Sequence, residues 1–368
     1  MSGALSTRAA RAQRHGARGL RTTRSLPLLA ALFGLSVLAV LVGLGVGAVP
    51  ISPREIFAIA AAHLRDTPLD WPGAQQQAAV LLAIRLPRVL LGVLTGGALA
   101  ASGAALQALF RNPLADPALI GTASGAALAA AAVIVLVPTV PGDGPAWLRL
   151  ALLPTCAFAG SAIATLAVYR AARRDGQTPV ATLLLAGIAI NALASAGTGL
   201  LAFAANDAQL RSLTFWTLGS LGGATWAGLA AVAPFLAVAL IALPRLASTL
   251  NLLLLGEDEA RHLGAEIDTL KRRVVTAAAI GVGAAVALCG VIGFVGLVVP
   301  HLVRLVAGPD HRIVLPGSIA LGAALLVLAD VVARTVVAPA ELPLGVVTAL
   351  VGGPFFLWLL RRQPAAWG

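Results

Sequence analysis

Of the 368 residues, 59% are hydrophobic and only 11% charged, and the mean hydropathy is +0.92. A water-soluble chain of this length has too little interior to hide so much apolar surface, since soluble proteins are about one-quarter charged. Lipid is the solvent that fits, and the formal charge of +11 is spread between apolar runs instead of forming one patch for nucleic acid.

The first 26 residues form a basic tail carrying Arg8, Arg11, Arg14, Arg18, Arg21 and Arg24. This resembles the charged start of a signal peptide, but the apolar run that follows is as long as a bilayer core, so it is expected to be an uncleaved first span. Ten candidate spans follow the ruler of about 20 apolar residues. They lie near 27–48, 86–109, 117–138, 148–169, 180–203, 223–243, 273–293, 295–307, 313–334 and 343–360. The eighth is too short to cross alone. The fold expected is an all-α polytopic membrane protein, with a permease domain over 27–362 and a C-terminal tail over 363–368.

The spans are rich in glycine and alanine, as in Gly96-Gly97-Ala98 and Gly103-Ala104-Ala105. Small residues let helices approach closely where lipid gives no hydrophobic drive for association, so a tight bundle is expected. Gly97–Leu106 is echoed by Gly283–Ile292, five crossings later, which suggests repeats inserted with opposite orientation. With the N-terminus inside, nineteen basic residues fall on the cytoplasmic side and seven outside, so both termini are expected in the cytoplasm. Cys156 and Cys289 sit in apolar stretches without metal spacing and read as small buried hydrophobes. The sole lysine, Lys271, has no glycine loop before it, so this chain has no P-loop to hydrolyse ATP.

Three segments carry more. The first is Arg85-Leu86-Pro87-Arg88, followed by Arg111-Asn112-Pro113-Leu114-Ala115-Asp116-Pro117. The second is Phe215-Trp216-Thr217-Leu218-Gly219-Ser220-Leu221. The third runs from Gly293-Phe294-Val295-Gly296 through Pro300-His301 and Ala329-Asp330 to Glu341-Leu342-Pro343-Leu344-Gly345. Together they resemble the FecCD permeases of ABC importers for ferric siderophores, haem and vitamin B12. The resemblance implies a type II importer permease of ten helices, a homodimer with the pathway on its axis, two cytoplasmic ATPase subunits and a periplasmic binding protein, all in the bacterial inner membrane. No cofactor or metal bound by this chain is implied; ATP is used by the partner, and haem or a related chelate is the cargo. Haem permeases of the family read most like the segments found here, with siderophore or cobalamin as the alternatives.

Site expectations follow. The acidic stretch about 256–264 is expected to be a cytoplasmic helix with its carboxylates in the first turn, where they suit the helix dipole. Ala260 and Leu263 would share a face, and the resemblance makes this the coupling helix, with Glu257, Ala260, Leu263 and Gly264 in the ATPase contact. Arg85, Arg88 and Arg334 are expected as exposed outer cations, which the resemblance assigns to docking of the binding protein; snorkelling, or for Arg334 a pair with Asp330 or Glu341, is the alternative. Arg211, between the fifth and sixth spans, suits an anionic cargo unless Asp207 neutralises it. Asn191, Ser195 and Thr198, with Gly187, would give the fifth span a mildly polar pathway wall. The histidines are scattered and decide nothing about haem ligation.

Two other classes fit less well. An ion-coupled carrier would place carboxylates mid-span, whereas Asp116, Asp330 and Glu341 fall near span ends. A membrane enzyme has no supporting motif: HExxH, GxSxG and a Cys/His cluster are all missing from the sequence.

Overall fold

The computed structural model describes residues 26–137, 146–173 and 177–362. Both tails assigned from sequence lie essentially outside these residues. Helix α1 (Leu26–Gly45) leads to a short helix α2 (Pro53–Arg65), whose start is closed by a reciprocal cap between Ser52 and Glu55 with Pro53 in the first turn. Helix α3 (Ala74–Leu109) is 36 residues long and starts twelve residues before the expected span. Pro87 falls at the second residue of that expected span. It has no N–H to donate, and the helix accommodates it by widening into a π-turn over Val80–Arg85 and continuing.

A 3-10 turn at Pro117–Ile120 is capped by Asp116, whose carboxylate accepts from the Ala118 N–H at 2.8 Å, and α4 (Thr122–Leu136) follows. Helices α5 (Ala146–Ala172) and α6 (Val180–Ala204) come next. The connection after α6 is itself a helix, α7 (Asp207–Leu218), started by a reciprocal Asn206/Gln209 cap. Helix α8 (Trp226–Arg245) returns, the acidic stretch forms α9 (Glu257–His262), and α10 (Ile267–Cys289), α11 (Val295–Ala307), α12 (His311–Thr335) and α13 (Leu344–Arg362) complete the chain.

Seven of these helices have the length and composition to cross a bilayer. Three shorter apolar ones, α4, α11 and α13, bring the membrane helices to ten among the described residues. Helices α3, α10 and α12 hold most of the buried core. The small residues act as expected: a Cβ on Gly96 would overlap the carbonyl of Gly322, and one on Gly322 would overlap the carbonyl of Gly96, so α3 and α12 meet backbone to backbone. Helices α4 and α5 meet in the same way at Gly125 and Gly160. Both cysteines are free, and Cys289 is buried with its sulfur 3.7 Å from the Thr95 hydroxyl.

Candidate functional site

The outer arginines are not exposed, which corrects the expectation for all three. Arg85 and Arg88 are 4% and 7% exposed, and the Arg334 side chain 8%. Arg85 caps the end of α1, donating to the carbonyls of Leu44 (2.8 Å), Gly45 (3.0 Å) and Val49, and Arg334 adds a bond to the Gly43 carbonyl. Four carbonyls left without helical partners are thereby satisfied by cations, where the helix dipole favours positive charge. Arg88 lies between two carboxylates: Nε and Nη2 donate to Asp330 at 2.8–3.0 Å, and Nη1 and Nη2 donate to Glu341 at 2.9 Å. Arg334 Nε lies 3.6 Å from Asp330, the local pair weighed as the alternative. The Arg88 hydrogen bonds hold the Glu341 carboxyl below its usual 4.5. Among the described residues, Arg54 and Arg65 on α2 and Arg211 on α7 are exposed.

The four residues assigned to the pathway divide. Arg211 is exposed on α7 and makes no ion pair or hydrogen bond through its side chain among the described residues; Asp207 does not pair with it. Ser195 is exposed on α6, and Asn191 and Gly187 lie one and two turns before it at adjoining positions, as the spacing required. These two are engaged with neighbouring elements. Asn191 donates to the Ala118 carbonyl at 3.0 Å and accepts from the Ser124 hydroxyl, and Gly187 lies against the Leu119 carbonyl. Thr198 is half-buried and returns its hydroxyl to the Ala194 carbonyl at 2.9 Å, the usual refuge of a hydroxyl inside a helix. Asn191 is therefore a clamp between α6 and the segment before α4, while Ser195 stays exposed.

On the opposite face, α9 carries Glu257, Asp258 and Glu259 in its first turn, as expected. Its faces differ from the expectation. Ala260 is fully buried against this chain, while Leu263 lies just past the helix end and is 61% exposed. Gly264 turns the chain with φ +85°, a conformation that suits glycine, and so directs it into α10. Glu257 is not free to meet a partner, because its carboxylate accepts from Lys271 Nζ at 2.9 Å, and that ammonium also donates to the Thr178 carbonyl at 3.0 Å. Lys271 is 2% exposed, so this pair fixes α9 against α10. Asn251 forms a second clamp nearby, donating to Asp310 at 2.7 Å and accepting from the His311 N–H at 2.8 Å. Neither clamp was legible in sequence, because the partners are separated by 14 to 60 residues without periodicity. What remains outward is Leu254, Leu255 and Leu263 with the carboxylates of Asp258 and Glu259, together with His262 and with Arg261, which pairs with Asp268. A cavity of about 290 Å³ lies alongside, lined by Leu246, Thr249, Leu263, Glu266, Thr269 and Arg273.

The prediction that tests the first clamp is Glu257→Gln. It leaves a buried ammonium with neutral acceptors only, and the loss of its counter-charge is expected to cost about 1.5–3 kcal/mol. Thermal unfolding of the purified chain should fall accordingly, whereas Asp258→Asn, which is exposed, should leave it unchanged.

Ten apolar helices closed by buried ion pairs define a multi-pass membrane protein. Residues 35–362 match the FecCD transport family, and the chain belongs to it. It is 49% identical over 284 residues to the hemin transport system permease protein HmuU of Yersinia pestis, covering 77% of this chain and 84% of that one. It is 44% identical over 296 residues to the cobalamin import system permease protein BtuC of Halobacterium salinarum, covering 80% and 77%. A solved inward-facing structure described as a metal-chelate type ABC transporter superposes with a TM-score of 0.75 at 30% identity, covering 91% of this chain and 99% of that one. The chain is accordingly an ABC-importer permease, a transport subunit.

Proposed function

We propose that this chain, as a homodimer, carries haem from a periplasmic binding protein across the bacterial inner membrane, with both termini in the cytoplasm and ATP hydrolysed by two separate subunits docked on α9. The observation that carries the reading is the inner element: a helix held rigidly by a buried Lys271–Glu257 pair, presenting Leu254, Leu255 and Leu263 beside free carboxylates and a cavity. A rigid element with an apolar, acidic outer surface transmits a partner's motion to the bundle, where a mobile loop would absorb it. The exposed apolar face of α6, with Leu185, Ile188, Leu193, Leu200 and Phe203, supports a second copy across an axial pathway.

Haem is favoured by Arg211, an exposed cation without an internal partner on the outer helix that follows α6, where a propionate can meet it. The hemin permease at 49% identity supports the same cargo. With the three buried arginines engaged inside this chain, docking of the binding protein falls to the exposed outer helices α2 and α7. This chain itself binds no cofactor. Cobalamin is the second reading, supported by the relative at 44% identity.

The test is ATPase stimulation and uptake by the reconstituted complex, with the binding protein loaded in turn with haem, a ferric siderophore and cobalamin. Haem should stimulate most, and Arg211→Ala should slow haem uptake about ten-fold, the loss of one charge-assisted contact. Equal haem uptake by the variant would remove Arg211 from the pathway, and stimulation by cobalamin alone would remove haem as the cargo.

A further inference from the structure

Away from the pathway and the inner element, a cavity of about 330 Å³ opens on the flank of the bundle between α5 and α10. Its walls are apolar, and its depth comes from a notch where Ala162 and Ala279 stand between the larger Phe158 and Leu166. At one end it is closed by the bundle itself: Gly283 approaches Ser161 and Phe158, and the Phe158 ring packs on Phe235 at 5.1 Å. At the other end stand Tyr169, near the last turn of α5, and Arg272, near the first turn of α10. From Phe158 to Tyr169 the helix rises about 16 Å, about the hydrocarbon depth of one leaflet.

Two observations give this groove a ligand chemistry. Arg272 is exposed and makes no ion pair or hydrogen bond through its side chain among the described residues. The carboxylate one turn earlier, Asp268, is taken by Arg261 at 3.3 Å, and the neighbouring Lys271 is turned inward to Glu257. Arg170 and Arg273 adjoin Tyr169 and Arg272 in sequence and add to the positive charge. In addition, Thr276 lines the groove one turn beyond Arg272 and is exposed, whereas the unpartnered Thr165 hydroxyl is buried out of reach. A hydrophobic slot one leaflet deep, with a donor in its wall and an uncompensated guanidinium at the membrane surface, matches an acyl chain, its ester carbonyl and an anionic headgroup in that order.

We infer that the α5–α10 groove is a specific site for an anionic phospholipid, with one acyl chain along Ala162 and Ala279 and the phosphate at Arg272. That this is the inner leaflet rests on the orientation proposed above; the site itself does not.

The test is native mass spectrometry of the purified full-length chain, delipidated and then supplied with phosphatidylglycerol or phosphatidylethanolamine. Phosphatidylglycerol should be retained about five-fold more, the ratio that about 1 kcal/mol from one basic residue gives. Arg272→Gln, a surface change that leaves the fold intact, should bring the two lipids to equal retention, and Ala279→Trp should reduce both by filling the notch. Inorganic phosphate should not displace the lipid. Equal retention of the two lipids by the wild-type chain, an unchanged preference in Arg272→Gln, or displacement by phosphate would each overturn the site. None of these readouts depends on cargo or on ATPase coupling, so failure here is separable from failure of the importer reading.

Discussion

Gly96→Leu is expected to abolish the folded protein, and Gly96→Ala to destabilise it by about 3 kcal/mol, the upper part of the range for overpacking. The contact that a side chain would meet is the Gly322 carbonyl, on a helix whose own Gly322 is pressed against the carbonyl of Gly96. A flexible side chain can rotate away from an added methyl, but a carbonyl inside a helix cannot move without breaking its ladder. In lipid, packing and close backbone approach do the work that hydrophobic burial does in water, so separating α3 from α12 removes the main attraction between them. Thermal unfolding in detergent, read by size-exclusion fluorescence, checks it. Gly34→Ala is the matched control: Gly34 is exposed on α1 with no atom within 4 Å of an added Cβ, and the change should be neutral or slightly stabilising. Equal behaviour of the two variants would contradict the backbone contact.

Arg88→Ala is the second change with a large expected effect. It would leave the Asp330 carboxylate, 3% exposed, with only a guanidinium nitrogen 3.6 Å away. Removing one partner of a buried ion pair costs about 3–5 kcal/mol, mostly because the remaining charge has lost both water and its counter-ion. Arg88→Lys should recover only part of this, since one ammonium cannot present parallel donors to two carboxylates. The double variant Arg88→Leu/Asp330→Leu should be more stable than either single variant, because it removes the stranded charge along with its partner. Glu341→Gln should be milder, with 42% of that side chain in solvent. Its carboxyl is depressed by Arg88, so its contribution is fully present above its usual 4.5 and is lost as pH falls through the lowered native value. The stability difference between wild type and Glu341→Gln should therefore stay constant from pH 7 to about 4.5 and shrink only below that. A difference that disappears near neutrality would show that Arg88 does not hold Glu341.

The outer arginines show where a sequence stops being informative. Their placement near the ends of helices was readable, because apolar runs and the cations that bound them are local features. Their burial was not, because Arg88 meets Asp330 across 242 residues and Glu341 across 253, and no periodicity connects them. The same holds for Glu257, whose position in the first turn of α9 followed from spacing while its capture by Lys271 did not. Pro87 shows a local preference overridden: a π-turn over Val80–Arg85 carries α3 through a residue that suits a helix start.

The sequence alone determined the solvent, the approximate set of membrane helices, the family, and the need for close glycine contacts. Each of these depends on composition or short-range pattern, and a segment's transfer into lipid is nearly a sum over its own residues. Only the tertiary structure decided which charges are paired, which face of α6 is free, and which leucines beside α9 stand outward. Those are pairwise outcomes between distant segments, fixed once a buried charge or carbonyl must find a partner away from water.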